Sequence, residues 1–399
     1  MAPHGRSADA RRRMSVVSRR GAAYTGRDMD LAGGSVVSPR RYMLVEKLGE
    51  GGMGVVWRAR DATLKRDVAI KLLPFGAEGA HQEFFEREAL AMARVRSEHV
   101  VEIFDAGRLD GDAGAAYFVM ELIDPPRSLA DLRHELRADL ARAVRLFIQA
   151  TEGLGAIHRR DMVHRDVKPS NLLVAMRAEG GREVLKVADF GIALFPEEFE
   201  VDQPAVGTLG YAAPEQLLFE GIDGRADVYG LGATMFDMLC GEKPHREAEL
   251  SRWWKARHAP GSGLASFPPP PPVRDRNAHV PDELASIIAQ CLDARVDRRF
   301  RTMSALRFAL EHVLTGTLGI PLAERSNPVS VDPEGAARVA LADLAEAVLA
   351  DEVVVESERS FLKRRALELG VADERADGVV NAVLEEAIAR RKGGERTEG

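Results

Sequence analysis

Along residues 42–123 apolar and polar positions alternate in short runs, VEKLG, GVVWRAR, DVAIKLL, VVEIFDAG and AAYFVMELI, the period-two pattern of half-buried strands. From Asp139 onward the apolar spacing lengthens to three and four, the period of helices packed along one face. Strands first and helices afterwards predict an α+β chain whose smaller, sheet-rich part leads. The run FPPPPPV at 267–273 predicts an extended surface loop, because consecutive prolines continue neither a helix nor a ladder; a proline-rich ligand for another domain is the alternative.

Three further helical patterns lie near the end of the chain. The first carries Leu341, Leu344, Val348 and Leu349; the second carries Phe361, Leu362, Ala366 and Leu369 and closes on Gly370 at a capping position. The third starts from Asp373 as a cap and presents Val379, Val380, Val383, Leu384 and Ile388. Together they predict a small bundle over 334–392, behind a polar linker at 316–333 and ahead of a disordered tail at 393–399. At the other end, residues 1–36 contain RRRMSVVSRR with several Gly and Ser but no sustained period, which predicts a disordered, mildly basic arm.

Composition narrows the picture. The 399 residues are 45% hydrophobic and 29% charged, enough apolar surface for a buried core without staples. Acidic and basic residues are mixed along the chain and sum to −7, so no basic field offers itself to nucleic acid. Cys240 and Cys291 sit in apolar, helix-like contexts far apart in sequence, which predicts two buried free thiols and fits a reducing cytoplasm. No run of about 18 or more apolar residues appears, and the start lacks the apolar core of a secretory signal, so we expect a soluble, cytoplasmic protein with no membrane contact. Arginine well above lysine and abundant alanine suggest a bacterial source.

The chemistry begins at LGEGGMGVVW, residues 48–57. Gly49, Gly51 and Gly54 also fit a dinucleotide fingerprint, but that motif wants its strand to run into a helix, whereas GVVWRAR continues as a strand. Strand, glycine turn and strand make a hairpin whose backbone N–H groups approach phosphates without Cβ obstruction. DVAIK supplies a cation, Lys71, on the next strand, and the helical segment QEFFEREALAMARV supplies Glu88 to pair with it, with Phe84, Phe85 and Met92 burying that side of the helix. Downstream, MVHRDVKPSNLLV places Asp166, Lys168 and Asn171 in a loop between helix and strand, and KVADFGIAL places Asp189 after a strand.

These segments, with APE at 213–215, resemble the signature set of protein kinases in order and spacing over about 270 residues. The chain thereby resembles bacterial Hanks-type, eukaryotic-like serine/threonine protein kinases. The resemblance implies a two-lobed kinase domain at 37–315, with an N-lobe at about 42–124 and a C-lobe at about 125–315. It implies ATP and Mg²⁺, or Mn²⁺ in its place, and transfer of the γ-phosphoryl group to Ser or Thr of protein substrates in intracellular signalling. Asp166 would orient the acceptor hydroxyl and take its proton, Lys168 would neutralise the moving phosphoryl group, and Lys71, paired with Glu88, would hold the α- and β-phosphates. Asn171 and Asp189 would hold the metal, whose preference for hard oxygens they meet. Leu48, Gly49, Glu50, Gly51, Gly52, Met53 and Gly54 would cover the nucleotide, and Val56, Ala69 and Leu173 would sandwich adenine. Met120 would gate the back of the pocket, with backbone hydrogen bonds to adenine from Glu121 and Ile123. His164, Phe190 and Met92 would join the lobes; the pair Glu215 and Arg299, and Asp227 under the catalytic loop, would hold the fold.

Two features depart from the pattern. Between DFG and APE the only hydroxyl-bearing residues are Thr208 and Tyr211, while Glu197, Glu198, Glu200 and Asp202 crowd the usual phosphorylation region. A carboxylate reaching Arg165 would make the enzyme independent of activation-loop phosphate; a solvated acidic loop is the alternative. The C-terminal stretch resembles the helical repeat of tellurite-resistance B-like domains, but Asp351-Glu352 stand where Asp-Gly is usual, which argues against a loop-bound metal and for a protein-interaction or self-association module. The competing reading of the whole chain is an ATP-binding pseudokinase scaffold; the presence of Lys71, Glu88, Asp166, Asn171 and Asp189 together speaks against it. A small-molecule kinase is disfavoured by GTLGYAAPE, which looks built to hold a peptide.

Overall fold

The computed structural model describes residues 36–37, 41–51, 54–74, 91–108, 115–176, 181–189, 209–218, 220–258, 266–321, 338, 341, 345, 356–368 and 371–394. They divide into two compact units, one running to Arg94 and resuming over Glu102–Leu122, the other holding Val95–Val101 and everything from Ile123 onward.

The first unit is a six-stranded antiparallel sheet of β1 (Val36–Val37), β2 (Tyr42–Gly51), β3 (Gly54–Asp61), β4 (Arg66–Pro74), β5 (Ile103–Arg108) and β6 (Ala115–Met120), in the order β1-β2-β3-β4-β6-β5. The alternation seen in sequence sorts the two faces. Tyr42, Leu44, Val55, Trp57, Val68, Ile70, Leu72, Tyr117 and Val119 form the core on one face, while Met43 and Val45 point outward. Register sets the other face: Lys71 stands between Val56 and Phe118, and Ala69 between Arg58 and Met120. Residues directly opposed across a ladder share a face, so Val56, Ala69, Lys71 and Met120 lie on one side of the sheet. Two expectations shift here. Val36 lies in an edge strand instead of ending a disordered arm, and the run VVEIFDAG enters the ladder only at Ile103.

The second unit is built on helices: α1 (Arg133–Ala138), α2 (Leu140–His158), α3 (Pro214–Leu217), α4 (Arg225–Cys240), α5 (Glu247–His258), α6 (Val273–Arg276), α7 (Asp282–Cys291), α8 (Met303–His312), α9 (Glu356–Glu368) and α10 (Asp373–Gly394), with a two-stranded hairpin of β7 (Leu172–Met176) and β8 (Glu183–Val187). Helix α1 precedes the Asp139 start expected from periodicity; Asp139 instead caps α2, its side chain accepting the Arg142 N–H at 2.9 Å. Every residue of α4 from Ala226 to Cys240 is buried, so this helix is fully enclosed. The proline run is extended as expected, yet its ends are anchored: Val273 is buried and begins α6, and Phe267 packs edge-on to Trp253 at 5.0 Å. Both cysteines are free and buried, and burial pushes the Cys240 thiol up to about 12. No helix among the described residues is long and apolar enough to cross a membrane.

The C-terminal helices enclose a cluster of Leu341, Ala345, Leu362, Ala366, Val371, Ala376, Val379, Val380, Val383, Leu384 and Ala387, against which Phe308 of α8 also packs. Two assignments change. Asp373 is the first residue of α10 and follows the chain reversal at Ala372, so it acts on the helix dipole and pairs with Lys363 at 3.6 Å instead of capping. Ile388 is 37% exposed, and Ala387 takes the inward position. Leu344, Val348, Leu349, Leu369 and Gly370 lie outside the described residues, as does the side chain of Phe361.

Candidate active site

In the sheet unit, the glycine hairpin is the turn from β2 to β3, with Gly51 opposite Gly54 and Gly49 opposite Val56. Gly54 has φ +126°, and a Cβ there would lie 2.0 Å from the Leu72 carbonyl oxygen, so this position admits no side chain. A Cβ on Gly49 would meet nothing within 4 Å; its bareness serves no packing purpose among the described residues. Lys71 is 4% exposed, a depth reserved for ammonium groups that have partners. The Glu121 N–H is committed to the Glu102 carbonyl at 2.8 Å. Gly52, Met53, Phe84, Phe85, Glu88, Phe190, Glu197, Glu198, Glu200, Asp202 and Thr208 lie outside the described residues.

In the helical unit, the loop from α2 to β7 is suspended from one buried carboxylate. Asp227 on α4 accepts the backbone N–H of His164 at 2.8 Å and of Arg165 at 2.7 Å, and His158 Nε2 donates to it at 2.7 Å. These bonds hold Arg165 at φ 67°, a left-handed conformation that a side chain adopts only under external constraint. Gln216 Nε2 donates to the Arg165 carbonyl at 2.7 Å while its Oε1 accepts the Ala213 N–H at 3.1 Å, tying the APE segment to the loop. His164 is fully buried: its Nδ1 accepts the Asp166 N–H at 3.2 Å and its Nε2 donates to the Ala188 carbonyl at 2.9 Å, which fixes a neutral tautomer.

So placed, the Asp166 carboxylate is 5% exposed. Its Oδ2 accepts from Lys168 Nζ at 2.7 Å and Asn171 Nδ2 at 2.9 Å; the same Asn171 nitrogen donates to the Asp166 carbonyl at 2.8 Å. Its Oδ1 is buried with no hydrogen-bond partner among the described residues. A carboxylate oxygen in that state is a strong acceptor awaiting a proton donor. Asp166 shares a shallow surface depression with Val167, Tyr211 and Ala212. Asp189 follows β8 at φ 59°, and the intervening Ala188 N–H donates to the Asn171 carbonyl at 2.9 Å, so the Asp189 and Asn171 segments are locked together. With its nitrogen spent on Asp166, Asn171 offers its amide oxygen, and Asp189 a carboxylate: a hard-oxygen pair of the kind that holds Mg²⁺ together with phosphates. Glu215 and Arg299 form a bidentate pair at 2.6 and 2.8 Å, with Arg299 also donating to the Asp293 and Arg225 carbonyls.

The protein kinase domain family matches residues 42–310. The chain belongs to that family. The chain is 34% identical over 313 residues to the serine/threonine-protein kinase PknF of Mycobacterium tuberculosis H37Rv, covering 76% of this chain and 62% of PknF. It is 33% identical over 319 residues to PknB of Mycolicibacterium smegmatis, covering 48% of that protein, and 33% identical over 283 residues to Pkn1 of Myxococcus xanthus, covering 38%. The chain therefore spans less than two thirds of the length of these relatives. Its fold is that of the crystal structure of the Mycobacterium tuberculosis PknI kinase domain, with a TM-score of 0.53 at 23% identity over 70% of this chain and 98% of that one.

Several groups at this kinase site were not singled out in sequence. His158 and Gln216 carry no motif, and only the requirement that a buried Asp227 be satisfied points to a donor such as His158. Tyr211, Asp237 and Arg133 form another set, the Tyr211 hydroxyl donating to Asp237 Oδ2 at 2.7 Å and Arg133 at 2.9 Å. Burial and the Asp237 carboxylate raise the Tyr211 phenol well above its ordinary value, so it stays a donor.

Proposed function

We propose that this chain is a serine/threonine protein kinase that transfers the γ-phosphoryl group of ATP to hydroxyls of protein acceptors. The observation that carries the reading is the half-satisfied Asp166 carboxylate, one oxygen pinned by Lys168 and Asn171 and the other buried with no partner among the described residues. An acceptor Ser or Thr donates its hydroxyl to Oδ1. As its oxygen bonds to phosphorus, the bond from phosphorus to the ADP oxygen breaks and the proton passes to Asp166. Lys168, already on the same carboxylate, meets the charge on the moving phosphoryl group. Bound Mg²⁺ supplies charge neutralisation across the phosphates, with the Asn171 amide oxygen and the Asp189 carboxylate as its protein donors.

Within the sheet unit, the nucleotide is held on the face that carries Val56, Ala69, Lys71 and Met120, with the glycine hairpin over its phosphates. Lys71 takes the α- and β-phosphates, with Glu88 as its partner. Adenine meets the Glu121 carbonyl and the Ile123 N–H. We read the acidic residues 197–202 as standing in for activation-loop phosphate on Arg165, and residues 334–392 as a module for protein interaction or self-association. A cytoplasmic, bacterial setting fits the two free thiols and the bacterial relatives.

The test is incubation with labelled ATP, Mg²⁺ and a generic protein acceptor beside an Asp166→Asn variant, with every phosphate mapped by mass spectrometry. Phosphoserine and phosphothreonine that vanish with Asp166→Asn support the assignment. Nucleotide binding without transfer in the unaltered protein refutes it in favour of the scaffold. Activity that tracks phosphate on Thr208 refutes the reading of the acidic loop.

A further inference from the structure

Behind the strand that leads to Asp189 stands a file of buried and half-buried polar side chains. His99, 4% exposed, has Nδ1 2.9 Å from the Leu185 carbonyl oxygen, and its own carbonyl accepts the Val187 N–H at 2.9 Å. The imidazole and peptide of one residue thus grip both ends of the stretch Leu185–Val187, two residues before Asp189. Helix α2 closes on this contact so tightly that a Cβ at Gly153 would lie 2.3 Å from the His99 oxygen and 2.7 Å from Val187 Cγ2. The residue before that glycine completes the file. Glu152 Oε2 lies 2.9 Å from His99 Nε2, and Glu152 Oε1 lies 3.3 Å from an Arg307 guanidinium nitrogen on α8. Glu152 and Arg307 side chains are only 16% and 15% exposed, so their charges are weakly screened.

An acceptor on Nε2 requires the His99 proton to sit there or on both nitrogens, and Leu185 asks for a proton on Nδ1. A neutral ring cannot meet both demands as a donor. Glu152 answers the demand at Nε2, and Arg307, at its other carboxylate oxygen, orients it. Arg307 is followed by Phe308, which seats the C-terminal cluster, so the far end of the file is braced by the C-terminal helices.

We propose that Glu152, held between His99 and Arg307, is a positioning residue for Asp189, fixing the β8 backbone so that the Asp189 carboxylate is presented to metal. The proposal rests on the assignment of Asp189 as a metal donor. The test uses the full chain with a non-hydrolysable ATP analogue and Mn²⁺ as the probe, reading bound Mn²⁺ by electron paramagnetic resonance and, separately, binding of the analogue without metal. Networks of this kind change affinity by roughly 2- to 30-fold. Glu152→Ala should weaken Mn²⁺ binding within that range, leave metal-free analogue binding unchanged and slow no step beyond what the lost metal explains. Glu152→Gln, whose amide N–H can donate to Nε2 of a neutral ring while Nδ1 still donates to Leu185, should recover most of the loss. Arg307→Gln should shift Mn²⁺ binding in the same direction by less, and carries the test if Glu152→Ala does not fold. Unchanged Mn²⁺ affinity in folded variants, or an equal loss of metal-free binding, overturns the proposal. Absence of any nucleotide-dependent Mn²⁺ site in the unaltered protein overturns the assignment of Asp189 itself.

Discussion

Residues 164–171 with Ala188 and Asp189, the proposed catalytic segment, and the C-terminal helices are both ordered by neighbours, but by opposite means. In the first, nearly every constraint is directional: Asp227 accepts three hydrogen bonds, His164 uses both ring nitrogens, and Arg165 and Asp189 are held in left-handed conformations. In the second, the buried cluster is wholly apolar, Ala, Val and Leu, and ion pairs such as Lys363 with Asp377 lie on the surface. Directional constraints fix atoms to within a hydrogen bond and tolerate no change of residue type. Apolar packing fixes a volume and tolerates many. Chemistry belongs in the first kind of surroundings, and the comparison can be broken by substitutions that move either region toward the other.

The largest expected effect is on Asp166. Asp166→Asn retains an acceptor for Lys168 and a group of the same size, so folding should be preserved, while phosphotransfer should fall by about 10²–10⁴, the range for losing a positioned general base; single-turnover rates against thermal melting would separate the two. Next is the carboxylate beneath it. Asp227→Ala strands the N–H groups of His164 and Arg165 and the His158 ring, and should cost about 3–5 kcal/mol, as when a buried charged partner is removed. Urea denaturation measures this; a loss below 1 kcal/mol would show that water replaces the carboxylate and that the loop is not suspended from it.

The same contrast explains what could be read from sequence. The motif residues of 164–171 were legible one by one, because directional constraints demand fixed residue types at fixed spacing: Asp166 bonds Lys168 and Asn171, Asp227 accepts the loop N–H groups, and Glu215 pairs with Arg299. The C-terminal helices were legible only as periodicity, and periodicity tolerates an error of one position, which is how Ile388 was assigned inward where Ala387 is. Asp373 was misplaced for a related reason: an acidic residue stabilises a helix start from the cap or from the first turn alike. Helix α1 was missed because its six residues, RHELRA, bury only Leu136 and show no period. His158, Gln216 and Glu152 were invisible because each serves a partner distant in sequence, and no local rule announces such a service.

Two substitutions probe the comparison at middling strength. Arg299→Lys keeps the charge opposite Glu215 but loses the planar fork and the bonds to the Asp293 and Arg225 carbonyls, and should destabilise by about 2–3 kcal/mol. Its measurement is again a denaturant midpoint, and a change under 0.5 kcal/mol would demote the pair to ordinary packing. Val380→Ala in α10 removes two buried methyl groups and should cost about 2 kcal/mol locally. Limited proteolysis should then cut within 334–392 sooner, with phosphotransfer within twofold of the unaltered protein; a parallel loss of both would show that the C-terminal helices and the catalytic segment unfold as one.

The last effect is conditional on pH and near zero at pH 7; it comes from a buried polar group that belongs to neither pattern. His245 is 1% exposed, stacks edge-on against Phe267 at 5.0 Å, and has no hydrogen-bond partner on either ring nitrogen among the described residues. It has the depth of Asp227 and none of its satisfaction. Burial lowers its pKa to about 4 from an ordinary 6.5. Below pH 6.5 the unfolded chain therefore takes up a proton that the folded chain refuses, and stability should fall by at most about 1.4 kcal/mol per pH unit until about pH 4, where both states are protonated and the loss levels off. His245→Phe removes the titration and fills the same aromatic slot, so it should be at least as stable at pH 7 and should gain on the unaltered protein steadily as the pH is lowered through that window. Denaturant midpoints at pH 7, 5.5 and 4.5 decide it. A difference between the two proteins that does not change with pH would mean that the folded ring titrates as it does in water, and that the site admits solvent as the catalytic segment does not.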